Sequence, residues 1–263
     1  MELGNHCEFL NIMTRVEMLS MYFIHDAKET QKWRLKGHAQ NKFWEFVSTW
    51  AVMLKHPSDL GFNQDGFNLP KLDIITDIVK VDNKPTDTLF HIPAQTLTER
   101  RKARKDSLNE RIDKVKQLVE KHKDEQVLIW CDYNNEADML AKEIDDSVEI
   151  RGSDTPKHKE DSMLGFAHGK IKRLITKPKI AGHGMNWQNS HIMIFCGLSD
   201  SYEQFYQAVR REWRFGQKSE VKAYIVISEL ETKVLDNIKR KETDFENMGS
   251  HMVKVIKQFL YGS

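Results

Sequence analysis

The chain has 263 residues, 40% hydrophobic and 30% charged, enough for one substantial core or two modest ones, and this balance excludes a disordered chain. A formal net charge of +1 removes whole-molecule electrostatics as an argument for nucleic-acid binding, so any such argument must rest on local clusters. Cys7, Cys131 and Cys196 are far apart and the last two sit in apolar runs; buried thiols of a reducing, cytoplasmic setting are expected rather than disulfides. No apolar run reaches the ~18 residues needed to span a bilayer, and no signal-peptide pattern opens the chain, so no membrane association is expected.

The first seventy residues read as helical. Phe9, Met13, Val16 and Leu19, then Phe43, Phe46, Val47, Trp50, Ala51 and Leu54, recur at three- and four-residue spacing. The two helices flank a polar, basic turn, Lys32 to Gln40. His25, Asp26 and His38 lie nearby but match no familiar metal-ligand spacing, and no metal site is expected. Pro57 to Pro70, with four Gly or Pro, reads as a boundary before the strand LDIITDIVKV.

From Thr98 to Lys123 the chain carries ten Lys or Arg against five Asp or Glu, around a helical stripe of Leu108, Ile112, Val115 and Val119. Ser107 and Glu110 have capping-box spacing. The basic residues form either a solvated helix face or a track for a phosphate backbone.

Beyond Asp124 strands and helices alternate. VLIWC (127–131) is a buried strand, Asn134 or Asn135 caps the next helix, Val148 to Ile150 is a short strand and Pro156 opens a helix. IKRLIT (171–176), HIMIFCG (191–197) and the run 221–227 are further strands, with helices from about Ser201 and Glu231. The alternation predicts an α/β fold, a parallel sheet with helices on both faces, whose chemistry sits in loops at the carboxyl ends of the strands. The string GSHM (249–252) looks like a cloning remnant, yet Met248, Met252, Val255, Ile256 and Phe259 carry a helical pattern through it, so it reads as native.

Two segments stand out. TKPKIAGHGMNWQ joins Lys177 and Lys179 to Gly182, Gly184 and Asn186; its glycines suit either backbone approach to a phosphate or a tight turn before the next strand. QAVRREWRFGQ (207–217) gathers Arg210, Arg211 and Arg214, either a salt-bridged end of a surface helix or a phosphate-binding edge. Read as a helix, it puts Arg210 and Arg214 side by side with Arg211 about 100° away.

Read together and in order, VLIWCDYNNEADML, the IRGS segment, TKPKIAGHGMNW and QAVRREWRFGQ resemble the second RecA-like lobe of superfamily-two helicases, closest to the Swi/Snf-type branch and its phage-encoded relatives. The resemblance covers Val127 to about Ile227, and its specific part is Q-x-x-x-R-x-x-R-x-G-Q, which looks like motif VI with Gln207, Arg211, Arg214, Gly216 and Gln217 in the matching positions. It implies that Arg214 is an arginine finger toward ATP, with Arg211 as companion and Gln207 beside them; Arg210 stands where many members carry aspartate. It likewise implies that Gly182, Gly184 and Asn186, with Gln217, face the nucleotide. Asn134, Gly152, Ser153, Thr176, Lys177 and Lys179 would line a nucleic-acid groove, DNA being the implied substrate. Contacts of this backbone type would show little base preference.

No G-x-x-x-x-G-K-[ST] loop occurs in the sequence, so ATP and Mg2+ are expected to be held mainly by a first lobe. The opening MELGNHCEFL resembles the stretch following motif III. The implied layout is therefore residues 1–57 as the helical tail of a first lobe, 58–123 as a connector with a strand and a basic helix, and 124–263 as the second lobe. Such a chain is the C-terminal half of an ATP-dependent helicase or translocase, inactive by itself. The alternative is a non-catalytic nucleic-acid-binding or interaction module, and a small-molecule enzyme is disfavoured because no nucleophile–base pair, metal spacing or dinucleotide fingerprint is visible.

Overall fold

The computed structural model describes residues 2–25, 33–63, 65–81 and 97–261. Asp26 and Lys32 lie outside the described residues. The chain forms two compact units, residues 65–243 and residues 1–64 with 244–263.

The larger unit is built on six strands: β3 (Leu72–Val79), β4 (Val127–Trp130), β5 (Ser147–Glu149), β6 (Arg173–Thr176), β7 (Ile192–Cys196) and β8 (Val221–Ser228). Their order is β3-β8-β7-β4-β6-β5 and every pairing is parallel. Period-two alternation sorts the side chains onto two faces. Leu128, Trp130, Met193, Phe195, Ala223 and Ile225 enter one core, with Phe166 from α7 (Pro156–Ala167), Phe205 from α9 (Tyr202–Val209) and Val234 from α10 (Thr232–Tyr261). Ile129, Cys131, Ile194, Cys196, Tyr224 and Val226 enter the other, with Ile112 and Val115 from α5 (Leu108–Lys121) and Ala137 and Leu140 from α6 (Asn134–Glu143). A sheet covered on both faces needs apolar residues at every position, which is why β4 and β7 are buried throughout. This is the α/β arrangement that the alternation predicts, a parallel sheet with helices on both faces.

Two local expectations are corrected. Ser107 does not form a capping box: α4 (Leu97–Asp106) runs directly into it, and its hydroxyl donates to the Ala103 carbonyl (2.8 Å) while accepting from Arg111 Nε (3.2 Å). Neither asparagine caps α6; Asn134 is its first residue, and the Glu136 carboxylate accepts from the Asp132 and Tyr133 amides at 3.0 and 3.1 Å.

The smaller unit holds α1 (Glu2–Phe9), α2 (Arg15–Tyr22), a two-stranded antiparallel ribbon of β1 (Phe23–His25) and β2 (Trp33–Leu35), α3 (Gln40–Ser48) and the last part of α10. The predicted first stripe is broken. Asn11 adopts a positive φ of 58°, and Thr14 starts a new helix through a reciprocal capping box with Glu17, leaving Phe9 (86%) and Val16 (76%) exposed. Cys7, Met18, Leu19, Phe43, Val47 and Met252 make the core. Helix α10 passes unbroken through 249–252, as its apolar spacing predicts. The compact units cut the chain at 64/65, inside the predicted 57–70 boundary, and at 243/244. Strand β3 joins the sheet by pairing with β8 over all eight residues, so the stretch expected to be a connector contributes to the larger unit.

Candidate nucleotide and strand interface

At the carboxyl edge of the sheet the loops after β4, β5 and β6 are neighbours, since the Cys131 amide donates to Thr176 O (3.0 Å) and the Ile150 amide to Ile175 O (2.9 Å). Here Lys177 Nζ donates to Asn134 Oδ1. Asn134 and Lys179 are exposed. Gly152 and Ser153 are exposed in a turn held by the Arg151 amide on Asp154 (2.7 Å) and by Lys159 Nζ on the Gly152 carbonyl (2.6 Å). Thr176 differs from these: it is fully buried and its hydroxyl makes no hydrogen bond, so it supports the edge from inside.

The arginine segment lies elsewhere. It follows α9 and leads into β8, so it belongs with the amino ends of the strands, not the carboxyl ends where the sequence pattern places it. Only its first three residues are helical: α9 ends at Val209, Arg210 is its C-cap, and the chain then turns, with Gly216 at φ 90°. The Arg211 carbonyl accepts from the Trp187 amide (2.9 Å), which ties the segment to the glycine-bearing loop. Arg211 Nε bonds the Gln207 carbonyl (2.9 Å), and its Nη2 bonds the Gln207 side chain (3.3 Å). Arg211 and Arg214 each send Nη1 to the Met185 carbonyl, at 2.9 and 3.1 Å. Burial, and then the like charges of Arg214 and Arg210, press the Arg211 pKa downward. Among the described residues no carboxylate forms an ion pair with Arg210, Arg211 or Arg214; Arg210 instead lies over the rings of Trp213 (5.1 Å) and Tyr206 (5.9 Å). The surface salt-bridge reading of this segment is thereby excluded for the described residues.

Gln217 is committed internally. Its amide nitrogen donates to the Ser190 and Glu212 carbonyls (2.8 and 3.1 Å) and its oxygen accepts from the Lys218 and Ser219 amides (both 2.9 Å). It braces the turn. In the facing loop Gly184 has φ 83° and Gly184 and Asn186 are exposed, whereas Gly182 is buried, where a Cβ would come within 2.2 Å of the Pro178 carbonyl. Helix α8 (Pro178–Ala181) is a single turn, about 6 Å long, and it joins Lys177 at one end to Gly182 at the other. The carboxyl-edge cluster and the arginine-bearing cluster are thus linked by one short element.

Sequence reasoning missed three features. The first is an ion network beneath the carboxyl edge. Arg104 from α4 contacts both Glu136 oxygens, Asp132 and the Cys196 and Leu198 carbonyls, and Arg111 from α5 contacts Glu136 (2.9 Å) and the Cys196 carbonyl (3.0 Å). Glu231 completes it, 3.7 Å from Arg104 and 3.8 Å from Arg111. Both arginines come from the basic stretch, so these two charges neither face solvent nor track a phosphate backbone. Burial, outweighing the nearby Arg111 guanidinium, pushes the Cys196 thiol up to about 12. The second is Glu212, fully buried, with neither carboxylate oxygen hydrogen-bonded; burial pushes its pKa up to about 8, with the neighbouring Ser190 opposing. A glutamate among arginines reads in sequence as a salt-bridge partner, so nothing there signals it. The third is Tyr133, 38% exposed, with the Arg104 guanidinium carbon 4.7 Å from its ring centre.

Among the described residues no group of three or more His, Cys, Asp or Glu could hold a metal ion, and no helix is long and apolar enough to cross a membrane. All three cysteines are buried free thiols.

Residues 110–216, less than half of the chain, match the family model described as helicase conserved C-terminal domain. The matched span contains both clusters except Gln217. No curated protein matches the chain. Among solved structures, the C-terminal part of the Fun30 ATPase domain is 25% identical, with 49% of this chain covering 44% of that one at a TM-score of 0.44. A DEAD box protein from the hyperthermophile Methanococcus jannaschii is 24% identical, with 51% covering 37% at a TM-score of 0.44. The chain spans less than half the length of either.

Proposed function

We propose that this chain is the C-terminal half of an ATP-dependent nucleic-acid helicase or translocase of superfamily two, of the Swi/Snf-type and phage-like kind, acting on DNA. The observation that carries the reading is the pair Arg211 and Arg214, two guanidiniums without a carboxylate partner among the described residues, both aimed at the single carbonyl of Met185. Unpaired arginines fixed at one point suit a polyphosphate, whose oxygens accept more strongly than an amide carbonyl. In this reading the triphosphate and Mg2+ are held by a first lobe, residues 1–57 are that lobe's helical tail, and Arg214 neutralises charge on the transferred phosphoryl group. Mg2+ would polarise that group when bound there.

Exchange of the Met185 carbonyl for phosphate would release the loop carrying Gly182, Gly184 and Asn186. Because α8 joins that loop to Lys177 through one turn, the release reaches the strand-facing edge of Asn134, Gly152, Ser153, Lys177 and Lys179. The second reading, a non-catalytic binding module, keeps the same edge without the chemistry. Mixing the chain with a first lobe bearing a phosphate-cradling loop separates them. Nucleic-acid-stimulated ATP hydrolysis supports the motor; salt-sensitive strand binding without any restored hydrolysis supports the module.

A further inference from the structure

We propose that Tyr133 is a stacking platform for one unpaired nucleobase of the strand held at the carboxyl edge, and that Arg104 is the residue that positions it. The inference rests on the strand-binding reading of that edge and adds a base contact to a set of residues that otherwise touch only phosphate and sugar.

Tyr133 is the residue before Asn134, whose side chain meets Lys177. One face of its ring lies against the Arg104 guanidinium, while more than a third of the residue remains open to solvent. The open part of the ring offers a flat π surface on which a nucleobase can stack, and the neighbouring Lys177 can hold the phosphate of that nucleotide.

The backbone that carries the ring is held, and so is the cation beneath it. Its backbone amide and that of Asp132 are both held by the Glu136 carboxylate, at 3.1 and 3.0 Å. The guanidinium beneath it is 6% exposed and pinned by Glu136, Asp132 and two carbonyls, so it cannot swing away to solvent. With the backbone and the guanidinium held in advance, less freedom is lost on stacking, the condition under which such a contact adds most to affinity.

Salt dependence separates stacking from charge, because a phosphate contact releases counterions and a stacked base does not. The test uses the full chain with two fluorescein-labelled probes of equal length, single-stranded oligothymidylate and a fully abasic strand. Wild type should bind oligothymidylate about tenfold to a hundredfold more tightly than the abasic strand. Tyr133→Leu keeps an apolar cover over Arg104 but no aromatic ring; it should erase that difference and leave the slope of affinity against salt unchanged. Tyr133→Trp should preserve the difference. Arg104→Lys keeps the charge beneath the ring but not the flat fork; with unfolding unchanged, it should shrink the preference for bases and leave abasic binding intact. Lys177→Ala should weaken both probes and reduce the slope by about 0.7. Wild-type discrimination in Tyr133→Leu, with Lys177→Ala weakened as expected, overturns the platform and leaves the strand-binding edge standing. Indifference of both probes to Lys177→Ala instead removes the edge itself, and the platform with it.

Discussion

Arg211 and Arg214 share one acceptor, the carbonyl of Met185, although Arg211 is buried and also tied to Gln207, while Arg214 is partly exposed and its guanidinium makes that hydrogen bond alone among the described residues. In the proposed reading the difference gives them different tasks. Arg211 joins the helix end to the glycine-bearing loop, and Arg214 is the one free to leave.

Replacing Arg214 with alanine should therefore spare the fold and remove turnover. In the chain assembled with a first lobe, ATP hydrolysis should fall about 10³- to 10⁵-fold, with the urea midpoint of the isolated chain unchanged. Steady-state hydrolysis within tenfold of wild type would sink the finger assignment. Arg211→Ala should lower both activity and the urea midpoint, because its bonds hold two segments together.

Gly197 lies against the ion network with φ 86°, and a Cβ there would come within 2.4 Å of Arg104 Nη2 and 3.0 Å of Arg111 Nη1. Both the backbone conformation and the space exclude a side chain. Gly197→Ala should lose roughly 2 to 4 kcal/mol of unfolding free energy, read by denaturant titration. A loss below measurement error would mean that the guanidiniums can move aside.

Glu136 faces Arg104 and Arg111. Burial alone would raise its pKa, but the two guanidiniums and the Tyr133 and Asp132 amides hold it below the usual glutamate value. A depressed carboxyl pKa contributes stability that is present above the unfolded value near 4.5 and is lost as the pH falls through the lower folded value. Glu136→Ala should cost about 3 to 5 kcal/mol at neutral pH, since two buried cations lose their main partner. Its stability should also depend less on pH below about 4.5 than that of wild type.

Glu212 has the opposite sign. Its folded pKa of about 8 exceeds the ordinary 4.5, so the native state keeps a proton that the unfolded chain releases. Its contribution is complete below about pH 4.5 and declines as the pH rises toward 8, by something on the order of 4 kcal/mol. Glu212→Gln should flatten the stability profile over that interval in denaturant titrations at pH 5 and pH 8.5. An unchanged slope would show that Glu212 is ionised in the fold.

The six strands and the helices between them were legible because a sheet covered on both faces demands unbroken apolar runs, and VLIW, RLIT, IMIFC and VKAYIVIS supply them. The short N-terminal helices were less legible. There an asparagine at positive φ and a threonine cap divide what looks like one stripe, and such local devices outweigh a few apolar matches. At the candidate site, the spacing of Gln207, Arg211 and Arg214 was readable, but not that Gln217 turns inward, that Thr176 is buried or that Glu212 is unpaired. Those depend on which backbone groups come within hydrogen-bond reach, and residues far apart in the chain decide that.

The sequence by itself determined the alternation of elements, the parallel sheet and the two segments in which cationic residues gather, because each follows from local periodicity and spacing. Only the tertiary structure decided which cations are used internally and which are left over. Arg104 and Arg111 meet three carboxylates brought from Asp132, Glu136 and Glu231, whereas Arg211 and Arg214 meet none among the described residues. Charge pairing is a matter of distance in space, and a chain read residue by residue does not contain that distance.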